Sequence, residues 1–399
     1  MKFAGLIILD GFGINNSEYG NAIKQAKPAN LEYYFNNYPY TQIHASGEEV
    51  GLTAGQMGNS EVGHLNIGAG KVVEQSLLKI DNEIKNGKFF NNEVLLNVIN
   101  HVKNNGSDLH VMGLTSYGGV HSHISHLFAL LEMAHKSGVK NVYVHCFLDG
   151  RDNYFNSALK ELPKLQEVLD KYGYKIASIC GRGYAMDREK NYERTKLAYD
   201  AIVYGIGETY AENYLDAIKD NYENKIYDEY MKPIVVTENE KPITTVKEND
   251  GLIFFNFRED RARQITECFV DKNFNKFQVE KLNNPAYAGF SLYNKKYEKE
   301  QPAAFEIHEV DVNLSSVISK ENLKQFKISE TTKYAHVTYF FNGGIEKPND
   351  GEERFLIETI KTLNYDSFPA MKTTEVTNKA VEEIRTKKYS FMALNYCNC

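Results

Sequence analysis

The stretch LHVMGLTSYGGVHSHISHLFALLEMAHK, residues 109–136, joins an apolar run, a glycine-containing loop and a segment with helical periodicity. The apolar run Leu109–Leu114 predicts a buried strand. In the segment from Ser122 to Lys136, apolar residues recur at i, i+3, i+7 and i+10 from Ile124, which is one face of a helix. The order of strand, loop and helix is typical of a parallel sheet covered by helices.

The same pattern recurs along the chain and predicts an α/β fold. The segment from about Gly205 to Asn249 is polar and weakly periodic, and its elements are poorly specified by the sequence. The other predicted strands are Phe3–Leu9, Val142–Leu148, Lys175–Cys180, Leu252–Phe257 and Ser390–Asn395.

Length and composition limit the class of protein. The chain has 399 residues, enough for two domains or for one domain interrupted by another. Its formal net charge of -7 argues against nucleic acid or a membrane surface as a partner. The five cysteines are odd in number, which fits reduced thiols, and no apolar run suits a membrane span or a signal peptide. We therefore expect a cytoplasmic protein, and a monomer.

Five arginines follow predicted strands, where open α/β sheets bind ligands. Arginine presents a planar set of donors that matches carboxylate and phosphate oxygens. Together they indicate a small substrate with several negative charges. The alternative is that each forms a surface ion pair with a neighbour such as Asp152, Asp187 or Glu259. The five are Arg151, Arg182, Arg188, Arg258 and Arg261.

Three histidines form an H-x-H-x-x-H pattern where the predicted helix begins, at His121, His123 and His126. Imidazoles at this spacing can bind a metal, or a single one can contact substrate. Helix capping and surface exposure are the structural alternatives. Because no carboxylate ligand is close in sequence, one histidine contacting substrate is the favoured interpretation.

Asp10 and Ser60 are candidates for metal-assisted phosphoryl transfer. Asp10 ends an apolar strand and precedes a GFG turn, a suitable place for a ligand of a hard divalent cation. Ser60 lies in GQMGNSEVGHLNIGAG, residues 55–70, where a predicted helix begins and its dipole favours a phosphoryl group. A turn aspartate and an ordinary N-cap serine are the alternatives. A cation held by Asp10 would lower the pKa of the Ser60 hydroxyl.

Seven motifs in order, from Lys2 to Cys399, resemble those of the 2,3-bisphosphoglycerate-independent phosphoglycerate mutases. They are ILDGFG, GQMGNSEVGHLNIGAG, GGVHSHISHL, FLDGRD, GRGYAMDR, FFNFREDRARQ and KYAHVTYFFNGG.

The resemblance implies an isomerase of glycolysis that interconverts 3-phosphoglycerate and 2-phosphoglycerate through a phosphoserine. It implies a phosphatase-like doubly wound domain, residues 1–75 and 308–399, interrupted by an inserted α/β phosphotransferase domain, residues 76–307. Two manganese ions are expected, with Asp10 and Ser60 matching ligands of one of them and Ser60 the nucleophile. The positions that match substrate contacts are His121, Arg151, Asp152, Arg182, Arg188, Arg258, Arg261 and Lys333.

One departure from the family pattern concerns the remaining metal ligands. They lie in the family in a later D-x-x-G-H pattern and beyond, whereas this sequence ends at Cys399 and has no histidine after His336. We therefore expect a C-terminally truncated member with an incomplete phosphatase-like domain and little or no mutase activity. Two alternatives stay open: a metal-dependent phosphohydrolase or other phosphomutase, and a non-catalytic phosphoglycerate-binding fragment.

Overall fold

The computed structural model describes residues 2–305, 310–361 and 367–397. The strands are β1 Ala4–Leu9, β2 Leu109–Leu114, β3 Val142–Leu148, β4 Lys175–Gly181, β5 Thr209–Ala211, β6 Ile234–Glu238, β7 Lys241–Pro242, β8 Gly251–Phe254, β9 Ala286–Gly289, β10 Gln325–Glu330, β11 Glu352–Ile357 and β12 Phe391–Tyr396. The helices are α1 Ala22–Ala26, α2 Ala29–Asn37, α3 Ser60–Ala69, α4 Ser76–Lys85, α5 Glu93–Asn105, α6 Ile124–Lys136, α7 Ala158–Tyr172, α8 Arg182–Ala185, α9 Tyr192–Val203, α10 Tyr214–Glu223, α11 Arg263–Val270, α12 Leu314–Lys320, α13 Thr331–Ala335 and α14 Thr373–Arg385.

The chain divides into two compact units. Unit 1 comprises Met1–Gln75 and His308–Cys399, and unit 2 comprises Ser76–Ile307. Unit 1 contains a parallel four-stranded sheet in the order β1-β12-β10-β11, so its first strand pairs with its last. The predicted α/β fold is confirmed. None of the helices in the described parts of the chain combines the length and apolar character needed to cross a bilayer.

Unit 2 contains a larger sheet in the order β5-β6-β4-β3-β2-β8-β9, with the short β7 paired to β6. Its central strands pair in parallel, as the sequence predicts, but β6 runs antiparallel to β4. This departure lies in the weakly periodic segment after Gly205. The helices bury the apolar faces of the sheet, so that Leu109, Val144 and Ile179 are fully shielded from water.

A polar chain crosses the buried centre of the unit 2 sheet through four side chains. Ser178 Oγ lies 2.7 Å from His145 Nδ1, His145 Nε2 lies 3.0 Å from His110 Nδ1, and His110 Nε2 lies 3.3 Å from an Asp250 carboxylate oxygen. One set of neutral tautomers satisfies all three contacts, with each group donating toward Asp250. The chain therefore ties four neighbouring strands or strand ends together without an unpaired ring nitrogen.

A close approach between α3 and the segment after α13 shapes unit 1. The segment His336–Phe340 forms a π-helical turn that packs against α3. A β-carbon at Gly68 would lie 2.0 Å from the carbonyl oxygen of Phe341, so only glycine allows this approach. The contact places the start of α3 near α13.

Candidate functional site

The first candidate site lies in unit 1 where parallel strands end. Asp10 directly follows β1, Asn395 is the penultimate residue of β12, and Lys333 lies in α13, which directly follows β10. Ser60 is the first residue of α3, and the N-cap is its neighbour Asn59, whose side chain accepts from the backbone N–H of Val62. The interpretation of Ser60 as an N-cap is therefore wrong, and its hydroxyl is available for other contacts.

Asp10, Ser60 and Lys333 converge on the serine hydroxyl. Ser60 Oγ donates to the Asp10 carboxylate, at 2.8 and 3.0 Å from its two oxygens. The Lys333 ammonium donates to Ser60 Oγ at 2.5 Å and lies 2.9 Å from Asp10 Oδ2. The hydroxyl oxygen thus has an acceptor for its proton and a positive charge, and these two groups also contact each other.

Asn395 and His64 complete this serine site, and neither was singled out from the sequence. Asn395 Nδ2 donates to Asp10 Oδ2 at 3.1 Å and lies 3.0 Å from His64 Nε2. His64 Nδ1 lies 2.7 Å from the backbone carbonyl of Ser60. Because a carbonyl only accepts, Nδ1 carries the proton and Nε2 accepts from Asn395. The i, i+4 spacing of Ser60 and His64 was a usable signal, since it places both on one helix face.

The charges of the serine site favour an ionised Asp10. Burial raises the pKa of Asp10, but hydrogen bonds from Lys333, Ser60 and Asn395 outweigh it and hold the pKa below its usual value. Burial, followed by the charge of Lys333, lowers the pKa of nearby His336 to about 4. At neutral pH the site therefore combines a carboxylate, an ammonium and neutral imidazoles.

The oxygen atoms of Asp10 and Ser60 fit a hard divalent cation, which prefers carboxylate and hydroxyl ligands. Within residues 2–305, 310–361 and 367–397, no three His, Cys, Asp or Glu side chains converge as a metal cluster. The described residues therefore offer two ligands, Asp10 and Ser60, to such a cation and do not form a complete ligand set.

The second candidate site lies in unit 2, again where strands end. His121 follows β2, Asp149 and Asp152 follow β3, Arg182 follows β4, and the segment 258–261 follows β8. Because β2, β3, β4 and β8 are parallel neighbours, these loops meet at one edge of the sheet. We call the five arginines there the arginine cluster: Arg151, Arg182, Arg188, Arg258 and Arg261.

Arg182 forms the fixed part of the arginine cluster. Its guanidinium is almost fully buried and donates from Nη1 to Asp149 at 2.7 Å and to Asp152 at 2.5 Å. Asp149 also accepts from Ser116 Oγ at 2.8 Å and from the backbone N–H groups of Arg151 and Asp152. Asp149 stands in the quoted motif FLDGRD but was not singled out as a site residue.

His121 lies between two carboxylates of the same site. Its Nε2 is 3.7 Å from Asp152 and its Nδ1 is 3.6 Å from Asp260. Burial, followed by the positive charge of Arg182, lowers the pKa of His121 to about 4. The imidazole is therefore neutral near pH 7, and its buried Nδ1 has no hydrogen-bond partner among the described residues.

Arg188 and Arg258 share one carboxylate. Arg188 Nη1 lies 2.7 Å from Asp260 Oδ2, and Arg258 Nε lies 3.1 Å from Asp260 Oδ1. Arg151 pairs with Glu229 at 3.2 Å. The ion pairs of the structural alternative thus exist for these three arginines, but with Glu229 and Asp260 as partners. Of the partners suggested by the sequence, Asp152 pairs with Arg182 of the cluster.

Arg261 differs from the other four because it forms no ion pair with any carboxylate of the described residues. It donates from Nη1 to the carbonyl of Met186 at 3.2 Å. Burial, followed by the charges of Arg182, Arg188 and Arg151, lowers its pKa. The cluster therefore holds a positive charge that its own carboxylates do not balance locally.

The other two histidines of the H-x-H-x-x-H pattern have structural contacts. His123 is the N-cap of α6, and this is why the helix begins at Ile124 rather than at Ser122. His126 is buried, not surface-exposed, and its Nε2 lies 2.9 Å from Asp81 of α4. Asp81 is a carboxylate partner far away in sequence, which the local pattern could not reveal.

Comparison with known proteins identifies relatives over nearly the whole chain. Residues 80–295 match the family model described as BPG-independent PGAM N-terminus. A 2,3-bisphosphoglycerate-independent phosphoglycerate mutase 1 of Methanosarcina barkeri is 47% identical over 98% of this chain and 76% of the relative. The corresponding mutase of Acetivibrio thermocellus is 46% identical over 100% of this chain and 78% of the relative.

A solved structure supports the same comparison. A Leishmania mexicana phosphoglycerate mutase, studied in crystals at low cobalt concentration, matches 100% of this chain and 74% of its own with a TM-score of 0.68 and 29% identity.

Proposed function

The chain belongs to the 2,3-bisphosphoglycerate-independent phosphoglycerate mutase family, and from this premise we propose that it interconverts 3-phosphoglycerate and 2-phosphoglycerate. The observation that carries the proposal is the Ser60 hydroxyl, which contacts both the Asp10 carboxylate and the Lys333 ammonium. A phosphohydrolase or a different phosphomutase is not favoured, since the relatives are named as mutases.

Ser60 is proposed to accept the phosphoryl group. Its Oγ would bond to phosphorus as the substrate C–O–P ester breaks at the phosphorus, and the proton of Oγ would finally reside on the released 3-hydroxyl of glycerate. Transfer to the 2-hydroxyl then restores the free serine. Asp10 accepts the hydroxyl hydrogen bond and so orients Oγ. The Lys333 ammonium favours negative charge on Oγ and on the phosphoryl oxygens.

Unit 2 is proposed to bind the anionic groups of the substrate. The arginine cluster supplies donors in planar sets, and Arg261 supplies charge without a carboxylate partner in the described residues. The neutral imidazole of His121 offers one donor, and the Asp152 carboxylate can accept from a substrate hydroxyl. Retaining glycerate during transfer is what separates a mutase from a phosphatase.

A divalent cation, manganese by family resemblance, is proposed to bind the oxygen atoms of Asp10 and Ser60. Such a cation lowers the pKa of a coordinated hydroxyl and neutralises phosphoryl oxygens. The crystals of the Leishmania mexicana relative at low cobalt concentration support a divalent metal in this family.

We also propose a reducing compartment, the cytoplasm, as the place of action. The support is that Cys146, Cys180 and Cys268 are free thiols buried in unit 2.

The decisive experiment uses phosphorus NMR to follow the purified chain with 3-phosphoglycerate and a manganese salt, without 2,3-bisphosphoglycerate. The missing ligand motifs alone predict little or no mutase activity, whereas membership of the mutase family and the contacts of Ser60 favour activity. We therefore expect a 2-phosphoglycerate resonance to grow toward equilibrium. Growth of inorganic phosphate alone would identify a phosphohydrolase, and an unchanged spectrum would contradict the proposed activity.

A further inference from the structure

We propose that Asp260 is an internal competitor for the anion site: its carboxylate occupies the place of a substrate anionic group, and binding displaces it. The inference rests on the proposed function because it takes the arginine cluster as the binding site for those groups. It assigns Asp260 a role in setting affinity, distinct from that of the arginines.

Three nitrogen-bearing groups from separate segments converge on the Asp260 carboxylate. Arg188 Nη1 donates at 2.7 Å and Arg258 Nε at 3.1 Å, one to each oxygen. His121 Nδ1 lies 3.6 Å from Oδ1 and has no hydrogen-bond partner among the described residues. Two guanidinium groups and one imidazole around a single carboxylate form the surroundings that a bound carboxylate or phosphate requires.

Asp149, a buried carboxylate that contacts the arginine cluster, differs from Asp260. Asp149 has no exposed side-chain surface and is fixed by Ser116, Arg182 and two backbone N–H groups. The Asp260 side chain is 24% exposed, and its hydrogen-bond donors among the described residues are two arginines that are themselves 44% and 51% exposed. Asp149 is therefore a structural anchor, whereas Asp260 can leave its partners without leaving a buried group unpaired.

Asp260 competes as a charged group. Burial raises its pKa, but the charge of Arg258, the hydrogen bond from Arg188 and the nearby His121 outweigh burial and keep the pKa below its usual value. At neutral pH the carboxylate is ionised, so an incoming anion must replace it at Arg188 and Arg258. Removing its charge should leave these arginines free and make the site more attractive to anions.

Calorimetric titration of Asp260→Asn with inorganic phosphate and with 3-phosphoglycerate tests the inference. We expect the dissociation constant of each anion to fall about three- to tenfold relative to the parent, since two exposed charge pairs no longer compete. Asn retains the size of Asp, and Asp260→Ala provides a second variant in which the competing group is absent altogether.

Glu259→Gln is the matched control. It changes net charge by the same amount one residue away, but Glu259 pairs with Arg263 rather than with the cluster. We expect its affinities to stay within about twofold of the parent. Equal or weaker anion binding by both Asp260 variants, or an equal gain in Glu259→Gln, would overturn the inference.

The binding experiment tests the competitor role of Asp260 independently of the proposed mutase activity. Tighter binding by Asp260→Asn without any formation of 2-phosphoglycerate by the parent would support the competitor and refute the mutase assignment. An active parent whose Asp260 variants bind no more tightly would refute the competitor alone. A parent that binds neither anion would refute both.

Discussion

At the scale of single residues, Ser60 is the group whose removal should have the largest chemical effect. Ser60→Ala should abolish phosphoryl transfer, because no other hydroxyl in the described residues contacts both Asp10 and Lys333. Intact-mass analysis after incubation with 3-phosphoglycerate should show a phosphorylated parent and an unmodified variant. Ser17→Ala changes an exposed serine of the same unit and should behave as the parent. Undiminished turnover of Ser60→Ala would remove this residue from the mechanism.

Arg258 should contribute much more to substrate binding than to the stability of the fold. Its only ion pair among the described residues, with Asp260, is exposed and should contribute at most about 1 kcal/mol to stability. A charge-assisted contact to substrate should be worth about 1.5 to 3 kcal/mol. Arg258→Ala should therefore weaken calorimetric binding of 3-phosphoglycerate by one or more orders of magnitude with a nearly unchanged thermal melt, and Arg261→Ala should do likewise.

Arg263→Ala is the control for these variants, since Arg263 pairs with Glu259 and donates to the carbonyl of Tyr293. It should leave affinity close to that of the parent. If Arg258→Ala and Arg261→Ala both retained full affinity, these arginines would be structural ion pairs only.

At the scale of elements, the approach of α3 to the π-helical turn determines where Ser60 lies. Gly68→Ala would force a methyl group against the carbonyl of Phe341 and should cost about 1 to 3 kcal/mol of stability through overpacking. It should also reduce turnover by shifting Ser60 relative to Lys333. Gly63→Ala, in the same helix with open space around it, should be neutral or stabilising by up to about 1 kcal/mol. Urea unfolding and the turnover rate compare the two, and equal behaviour would contradict the packing argument.

The polar chain across the unit 2 sheet predicts loss of stability in acid. Burial, followed by the proximity of His110, lowers the pKa of His145 well below its usual value. The unfolded chain then binds a proton below about pH 6.5 that the folded chain does not, so stability is complete above that pH and falls below it. His121, with its pKa lowered to about 4, acts in the same direction between about pH 6.5 and 4.

Each such histidine should contribute a slope of up to about 1.4 kcal/mol per pH unit in that range. Urea unfolding from pH 7.5 to 4.5 measures the total slope for the parent and for His145→Gln, which should have a shallower slope. A His145→Gln variant with the full slope would exclude this histidine as a source of acid sensitivity.

At the scale of the whole molecule, periodicity and chain order predict the α/β fold, because strands that are buried on both faces appear as continuous apolar runs. The strand β10 was not predicted, because its polar residues conceal it: Lys327 is fully buried and bonds to Asn342 beside Glu352. That burial depends on partners that are distant in sequence.

The candidate sites were predictable only in part, because some of their contacts also depend on residues that are distant in sequence. Strand ends identify Asp10 and the five arginines, since parallel strands present their carboxyl ends at one edge. The sequence does not show whether Glu259 or Asp260 pairs with the arginines of the cluster. Both are carboxylates in one loop, and the sequence of a loop does not reveal in which direction each side chain points. Asn395 requires the register of β12 against β1, which no local pattern contains, whereas His64 could have been found from its i, i+4 spacing to Ser60.

The interruption of unit 1 by unit 2 has a consequence for biosynthesis. β1 is translated before unit 2, yet its parallel partner β12 follows after all of unit 2, while the strands of unit 2 pair within one continuous segment. On the ribosome, unit 2 can acquire its tertiary structure while β1 still awaits a neighbour. The nascent chain therefore carries β1 without its partner until β12 has been synthesised, and binding of a chaperone to this segment is expected to matter during that period.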